Sequence, residues 1–203
     1  MPADDETTSA GAIIAQELAE WAVLPSVIYP RNYEEFLSSP RRLCVLAGAP
    51  LDRCEQLVSE LAGNGQLTLL NLDFSFGLGR DDAALAYLKR IGVAGILTTR
   101  IGTVQKARSL GFFTVQATFF TDGTTVGKGI AAARSANPHL VQVMPSPVVA
   151  HLSDEERKGL GSFLVAGFVR TPEDVADALR QGATAATATS PSLWRLSRHD
   201  VPR

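Results

Sequence analysis

The chain has 203 residues, 45% of them hydrophobic, and a formal net charge of −2. This length suits one domain with a sizeable core and excludes two large inserted domains. The near-neutral charge excludes a globally basic nucleic-acid-binding protein, although the 19 Lys and Arg residues leave room for a local basic patch.

The N-terminal residues 1–11 are small and polar, which predicts a disordered tail. A helix is predicted over residues 12–22, where Ile14, Leu18 and Trp21 fall on one face. The acidic N-terminus lacks the positive region of a signal peptide, and no apolar run reaches the roughly 18 residues that span a bilayer. We therefore expect a cytoplasmic protein with no membrane partner, whose domain covers residues 12–203.

From residue 24 onward, short apolar runs alternate with helical patterns. Strands are predicted at 24–28, 43–47, 67–72, 94–98, 112–117, 139–144, 162–166 and 183–188. Helices are predicted between them at 31–38, 51–63, 81–91, 101–110, 122–136, 147–160, 171–181 and 190–196. Nearly continuous apolar strands are typical of parallel strands that are buried on both faces.

Start and stop signals support this alternation. Thr171-Pro172-Glu173-Asp174 offers an N-cap, a proline at the first helical position and acids in the first turn, and Gly182 ends the same helix. Eight β-α units leave two architectures open, a doubly wound sheet and a closed barrel. The units are short and equal, and no Gly-x-Gly-x-x-Gly motif follows the first strand. This favours a small single-domain (β/α)₈ TIM barrel, near the lower limit of about 200 residues for that fold.

The sequence offers little support for metal or cofactor chemistry. Cys44 and Cys54 form no CxxC motif and are expected to be reduced residues of a strand and a helix. His139 falls at the start of the sixth predicted strand, and His151 and His199 have no partner at ligand spacing. We predict neither a metal nor a cofactor.

Two segments of the chain resemble a known family. The first runs from Leu72-Asp73-Phe74 through Gly95-Ile96-Leu97-Thr98-Thr99-Arg100 to Lys106-Ala107. The second runs from Ala166-Gly167-Phe168-Val169-Arg170-Thr171 through Asp174-Val175 to Gly182-Ala183, and closes with Thr189-Ser190 and Leu193-Trp194. In order and spacing these segments are similar to the glycerol-3-phosphate responsive antiterminators, over about residues 24–196.

The resemblance implies a (β/α)₈ barrel that binds glycerol 3-phosphate or another small phosphorylated ligand. It also implies a regulator that acts on the leader mRNA of glycerol-utilisation genes and prevents premature termination. The oligomeric state stays open, with a dimer as one option.

Functional groups in such barrels lie at the carboxyl ends of the strands. We therefore predict ligand contacts from residues that follow strands 3 to 5, namely Asp73, Thr99, Arg100 and Gln116. The phosphate is expected in the loops after strands 7 and 8, where Gly167 lets a backbone N–H approach and Ser190 caps a short last helix. Arg170 and Thr189 complete this part of the predicted site.

The chain departs from the family pattern at several positions. Ala166-Gly167 stands where the family favours a glycine pair, Phe76 where it favours a histidine, and Ala117 where it often has an arginine. Ser146 replaces a glycine, and Pro191 replaces a residue with a backbone N–H. The pocket is expected to be more apolar and less cationic than the family pattern.

Any RNA surface on this chain must be a local patch, because neutralised phosphates supply most of the non-specific affinity. The candidates are Lys106 and Arg108 on the helix after strand 4, and Arg195 and Arg198 near the C-terminus.

Two other functions stay open. An enzyme acting on a phosphorylated metabolite needs an acid/base pair or a Schiff-base lysine on the rim. Asp73 is the only carboxylate at a predicted strand end and no lysine lies inside a predicted strand, which favours a protein that is not an enzyme. The third alternative is a diverged barrel that has lost its ligand and acts through protein contacts.

Overall fold

A computed structural model describes residues 4–201, whose eight parallel strands close into a barrel in chain order. The strands are β1 Val23–Ile28, β2 Leu43–Ala47, β3 Leu67–Asn71, β4 Gly95–Thr98, β5 Phe113–Phe119, β6 Leu140–Met144, β7 Phe163–Ala166 and β8 Ala185–Ala188. Pairing of β1 with β8, which sets Leu24 opposite Thr187, closes the barrel. The predicted (β/α)₈ fold is confirmed, and all eight predicted strands are present.

One helix precedes the barrel and seven lie between its strands. They are α1 Asp4–Glu20, α2 Tyr33–Leu37, α3 Leu51–Gly63, α4 Asp82–Arg90, α5 Ile101–Ser109, α6 Gly123–Ala136, α7 Asp154–Leu160 and α8 Pro172–Arg180. Three 3-10 segments occupy loops, at Leu72–Phe74, Ser146–His151 and Pro191–Leu193.

The N-terminal segment is helical where a disordered tail was predicted. Helix α1 begins at Asp4, so residues 4–11 belong to it, while residues 1–3 lie outside the described part of the chain. Ile14 and Leu18 pack into the core inside the barrel, and helix formation propagates from that anchor. Trp21, predicted on the same helix, follows its end and forms an isolated bridge with Ser197.

The helix predicted over residues 147–160 is divided. Leu152 is extended, with φ −81° and ψ 137°, and therefore interrupts the helical backbone. Ser153 then begins α7 with a capping box, in which its side chain accepts from the Glu156 N–H and the Glu156 side chain accepts from the Ser153 N–H.

The helix predicted over residues 190–196 is reduced to the 3-10 segment Pro191–Leu193. The buried indole of Trp194 follows it and donates a hydrogen bond to the Ala188 carbonyl at 2.9 Å. Its ring also contacts Phe36 edge-on, with ring centres 5.7 Å apart. Trp194 therefore fixes the end of the chain to the barrel, and a longer helix would draw it out of this position.

Alternation along the strands builds two cores, one inside the barrel and one between the sheet and the helices. The inner core contains Leu24, Leu43, Val45, Leu69, Leu97, Val115, Ala117, Leu140, Leu164 and Ala185. Gly95 lies where a Cβ atom would come within 2.5 Å of the Phe113 carbonyl and of the Leu69 side chain, so only glycine fits. The inner core closes the barrel below its carboxyl-terminal mouth.

A buried ion pair joins α1 to the segment before β2. The Arg41 guanidinium, 1% exposed, lies 3.0 Å from the Glu17 carboxylate and also donates to the carbonyls of Val23 and Trp194. Every partner in this group is a strong acceptor, so the desolvated charge is compensated. The pair connects the N-terminal helix, the first strand and the C-terminal segment.

Cys44 and Cys54 are both buried and unpaired, and burial raises the pKa of the Cys54 thiol to about 11. No described helix is long and apolar enough to cross a membrane. His139 precedes β6, where its Nδ1 accepts a hydrogen bond from the Thr114 N–H at 3.0 Å.

Candidate functional site at the barrel mouth

The carboxyl ends of all eight strands meet at one rim, because the strands are parallel and the barrel is closed. Asp73 follows β3, Arg100 follows β4 and Gly167 follows β7, so these three residues lie at the same end of the barrel, as predicted. We call this end the mouth.

Asp73 is bonded on both carboxylate oxygens. Oδ1 accepts from the Thr98 hydroxyl at 2.8 Å and lies 3.5 Å from Nε of Arg80. Oδ2 accepts from the backbone N–H of Thr99 at 2.6 Å and from its hydroxyl at 2.8 Å. The carboxylate thus braces the loop after β3 against the loop after β4.

These contacts decide the charge of Asp73. Burial alone raises the pKa of a carboxyl group, but the Thr99 and Thr98 hydrogen bonds and the Arg80 charge outweigh it, so the pKa of Asp73 lies below its ordinary value. Asp73 is therefore an ionised acceptor, and its bonded oxygens make it a poor general base.

Gln116 does not face the interior of the barrel. Its neighbours Val115 and Ala117 belong to the inner core, so alternation directs the Gln116 side chain to the outer face of β5. Nε2 donates to the carbonyls of Thr99 and Ala117, and the buried Oε1 has no hydrogen-bond partner. Gln116 also lines a groove with Thr99 and Phe119, so its predicted ligand contact would come from the outer face of β5 and not from inside the barrel.

The loop after β7 has an unusual backbone. Gly167 has φ +80° and its carbonyl accepts from the Ser146 N–H at 3.2 Å. Phe168 has φ +62°, a conformation that bulky residues rarely adopt and that costs on the order of 1–3 kcal/mol. Arg170 donates its backbone N–H to Asp174, and its guanidinium lies 5.5 Å from the centre of the Phe168 ring.

The predicted phosphate contacts after β8 are weaker than expected. Ser190 is the N-cap of only a three-residue 3-10 segment, and its hydroxyl lies 2.9 Å from that of Ser192 without capping the backbone. Pro191 supplies no N–H. The Thr189 carbonyl accepts from the side chain of the buried Asn32 at 2.8 Å, which ties β8 to the loop after β1.

A polar pair lies inside the barrel, above the inner core. Gln142 on β6 and Thr187 on β8 are both buried, and the Thr187 hydroxyl donates to Gln142 Oε1 at 3.5 Å. Gln142 Nε2 reaches only the Met144 sulfur, also at 3.5 Å. The hydroxyl contact is long and a thioether sulfur is a weak acceptor, so neither side chain is fully satisfied by its partner.

A basic cavity of about 370 Å³ lies between the first turns of α4 and α5. Arg80, Arg100 and Lys106 line it together with one carboxylate, Asp82, which pairs with Lys106 at 2.8 Å. Asp82 balances Lys106 and Asp73 lies beside Arg80, so the excess positive charge of the cavity comes from Arg100.

The remaining predicted RNA residues do not join this cavity. Arg108 lies with His139 in a cavity near the amino-terminal ends of β5 and β6. Arg198 donates to the backbone carbonyls of Leu18 and Thr184, so its guanidinium holds the C-terminal segment in place. Arg195 is exposed.

Sequence reasoning missed Arg80, Gln142 and Thr187. A visible signal for the last two was a polar residue inside an otherwise apolar strand, Leu140–Met144 or Ala185–Ala188. For Arg80 the signal was a cation directly before the capping residue Asp81. Among the described residues, no group of three His, Cys, Asp or Glu side chains could hold a metal ion.

Comparison with known proteins identifies the family. The model of the glycerol-3-phosphate responsive antiterminators matches residues 23–194, which is most of the chain. The chain belongs to this family. The match covers every strand of the barrel and confirms the resemblance that the two sequence segments indicated.

Solved structures share the fold. A glycerol uptake operon antiterminator regulatory protein from Listeria monocytogenes is 24% identical and has a TM-score of 0.79, with 85% of this chain and 94% of that chain covered. An antiterminator-related protein from Thermotoga maritima is 22% identical with a TM-score of 0.76, covering 87% and 99%. A deoxyribose phosphate aldolase from Aeropyrum pernix is 14% identical with a TM-score of 0.65, covering 96% and 97%.

Proposed function

We propose that this antiterminator family member binds glycerol 3-phosphate, or another small phosphorylated ligand, and acts on the leader mRNA of glycerol-utilisation genes. Binding prevents premature termination of transcription, and the protein acts in the cytoplasm on nascent transcripts. The observation that carries the proposal is the family match over residues 23–194.

The ligand part of the proposal uses the mouth. The Gln142 amide and the Thr187 hydroxyl are available to the glycerol hydroxyls. The phosphate lies against the loop after β7, where Gly167 has no side chain to block its backbone and Arg170 supplies a positive charge. This arrangement keeps Gly167 and Arg170 as predicted and gives Ser190 a smaller part, because Pro191 removes the neighbouring donor.

The RNA part of the proposal uses the basic cavity between α4 and α5. Arg80, Arg100 and Lys106 lie in one cavity, so they can neutralise consecutive phosphates of one strand. Lys106 was predicted for RNA and Arg100 for the ligand. We assign both to the RNA backbone. Arg108 and Arg195 lie outside the basic cavity and Arg198 binds carbonyls of the protein backbone, so these three residues are not part of the proposed RNA site.

We also propose that the chain is a regulator and not an enzyme. No lysine lies in any described strand, so no Schiff-base amine projects into the barrel. Asp73, the carboxylate next to a strand end, is occupied on both oxygens. The likeness to aldolases concerns the fold, and none of its chemistry is assigned to this chain.

Binding to a leader transcript from a glycerol-utilisation operon, measured by fluorescence anisotropy across a salt series, tests the proposal. Affinity should fall steeply with salt and rise when glycerol 3-phosphate is added. The plot of log binding constant against log salt concentration should become less steep in the combined variant Arg80→Gln, Arg100→Gln, Lys106→Gln. Each lost phosphate contact changes this slope by about 0.7, so three lost contacts change it by about 2.

A matched control removes the same charge from exposed cations at the opposite end of the barrel, through Arg42→Gln, Arg134→Gln and Lys158→Gln. It should leave the slope unchanged. If both triple variants flatten the slope equally, the basic cavity is not the RNA site. If the wild-type protein binds no transcript at low salt, with or without glycerol 3-phosphate, the RNA function is wrong and the alternative of a diverged barrel acting through protein contacts is favoured.

A further inference from the structure

Four phenylalanine side chains are exposed around the mouth. Phe74 and Phe76 follow β3, Phe119 ends β5 and Phe168 follows β7, and between 55% and 65% of each residue is exposed. The other large hydrophobic residues with exposed side chains in the described part of the chain are Leu51, Ile101 and Leu110. Leu51 and Ile101 begin helices at the mouth end, so exposed apolar surface is concentrated there, as at an interaction site.

These rings stand on ordered backbone. The Gly48 N–H donates to the Phe74 carbonyl at 2.6 Å, and Phe76 exchanges backbone hydrogen bonds with the loop after β2. Phe119 is paired with Met144 in the sheet. A rigid backbone lowers the ordering cost of binding, so the exposed rings are preorganised for a partner.

Phe168 is held outward by an unfavourable backbone conformation. Its φ of +62° follows the +80° of Gly167, and the surrounding loop is tied down at Ser146 and Asp174. Packing does not explain this conformation, because the ring is exposed. A strained residue that presents an exposed aromatic ring is typical of a functional position.

Positive charge lies between the rings. The Arg170 guanidinium is over the Phe168 ring, and Lys128 lines a groove of about 280 Å³ with Phe119. Among the residues whose side chains are described, 10–201, neither Arg100 nor Lys128 forms a salt bridge.

Three acidic side chains of the same rim, Asp81, Asp122 and Asp174, accept backbone N–H bonds at the first turn of a helix. Two others, Asp52 and Glu173, are exposed in the first turns of α3 and α8. Between β4 and α6 the rim presents Phe119 together with the cations Arg100 and Lys128.

The chemistry of the rim selects the partner. Glycerol 3-phosphate is small and polar and cannot cover four rings. Single-stranded RNA matches both features, because its unpaired bases stack on aromatic rings and its phosphates pair with Arg and Lys.

We infer that unpaired bases of the RNA stack on Phe74, Phe76, Phe119 and Phe168, so that the RNA crosses the mouth of the barrel. Its phosphates contact Lys128 in addition to the basic cavity, while Arg170 stays with the phosphate of the small ligand. The inference rests on the proposed RNA function and names the surface and the single-stranded character of the partner. It places the RNA directly over the ligand site.

Anisotropy with a labelled single-stranded segment of the leader tests this inference. Phe119→Ala and Phe168→Ala should each weaken binding by about five-fold or more, because one stacked base is lost. The loss should be the same at every salt concentration, since the salt slope counts phosphates and not bases. Phe168→Tyr should restore binding, and a duplex of the same sequence should bind more weakly than the single strand.

Leu110→Ala is the matched control, because it removes an exposed apolar side chain at the opposite end of the barrel. It should leave the affinity within two-fold of wild type, about 0.4 kcal/mol. Wild-type binding that the phenylalanine variants leave intact would overturn the inference and keep the RNA function. Loss of self-association in these variants, with RNA affinity unchanged, would identify the rim as a protein interface. Absence of any wild-type RNA binding would overturn both.

Discussion

The Asp73 carboxylate accepts two hydrogen bonds from Thr99, one from the backbone N–H at 2.6 Å and one from the hydroxyl at 2.8 Å. This pair joins the loop after β3 to the loop after β4, and so it fixes the position of Arg100, the next residue. Asp73 supports the basic cavity through this connection. Its own oxygens are not free to meet a ligand.

Asp73→Asn should lower the free energy of unfolding by about 1.5 kcal/mol, because hydrogen bonds to a charged acceptor become neutral ones. The pKa of Asp73 in the folded protein lies below the ordinary value of 3.8. The stability that the charged Asp73 adds is therefore complete above the ordinary pKa and is lost as the pH falls through the lower pKa of the folded protein. Urea unfolding of both proteins should show a constant difference at pH 6–8 that shrinks below about pH 4. A difference that grows at acid pH would contradict this.

Arg41→Leu should destabilise the protein strongly, because it leaves the Glu17 carboxylate buried without its partner. Removing one member of a buried pair costs about 3–5 kcal/mol. The double variant with Glu17→Leu should be more stable than Arg41→Leu alone, because no unpaired charge is left. Thermal melts would show the difference, because each kcal/mol shifts the melting temperature by about 2–4 °C for a chain of this size. Additive losses in the double variant would show that the two charges do not interact.

Gly129→Ala and Gly127→Ala should have opposite effects, although both lie in α6. A Cβ atom at Gly129 would come within 2.3 Å of the buried Phe120 ring, whereas one at Gly127 has no atom within 4 Å. Overpacking at Gly129 should cost about 1–3 kcal/mol. At Gly127 the better helix propensity of alanine should add up to about 1 kcal/mol. Equal stability of the two variants in chemical unfolding would contradict the packing of α6 on β5.

The barrel could be predicted from sequence because its signals are local. Each strand is an apolar run, and helix α8 carries its cap and stop residues at Thr171 and Gly182. The extension of α1 could not be predicted, because its small polar residues give no helical pattern and the anchor at Ile14 and Leu18 is tertiary. The reduction of the last helix likewise depends on Trp194 packing against distant residues.

The sequence predicted which residues lie at the mouth end of the barrel. It did not predict which side of a strand each side chain occupies. Asp73 and Gly167 were placed correctly because their position after a strand decides it. The position of Gln116 near the end of a strand did not reveal its face, since a one-residue shift along a strand reverses the side chain. The basic cavity brings Arg80 next to Lys106, and only the packing of α4 beside α5 reveals that proximity.

Glycerol 3-phosphate should raise the melting temperature of the protein. At a ligand concentration 100 times Kd, binding adds about 2.7 kcal/mol, or roughly 5–10 °C at 2–4 °C per kcal/mol. Gly167→Ala should reduce this shift, because a side chain at φ +80° strains the loop that meets the phosphate. Gly182→Ala is the control, since φ is +91° there and the residue lies at the opposite end of the barrel, after α8. A shift that both variants reduce equally would place the phosphate away from Gly167.

Single-round transcription through the leader terminator of a glycerol-utilisation operon tests the central claim most directly. The template should come from the genome that encodes this chain, and full-length and terminated transcripts should be counted with and without the protein. The account predicts that read-through rises only when the protein and glycerol 3-phosphate are both present, and that the triple variant at Arg80, Arg100 and Lys106 loses the effect. Unchanged read-through with wild-type protein and ligand, over a range of protein concentrations, would contradict the account.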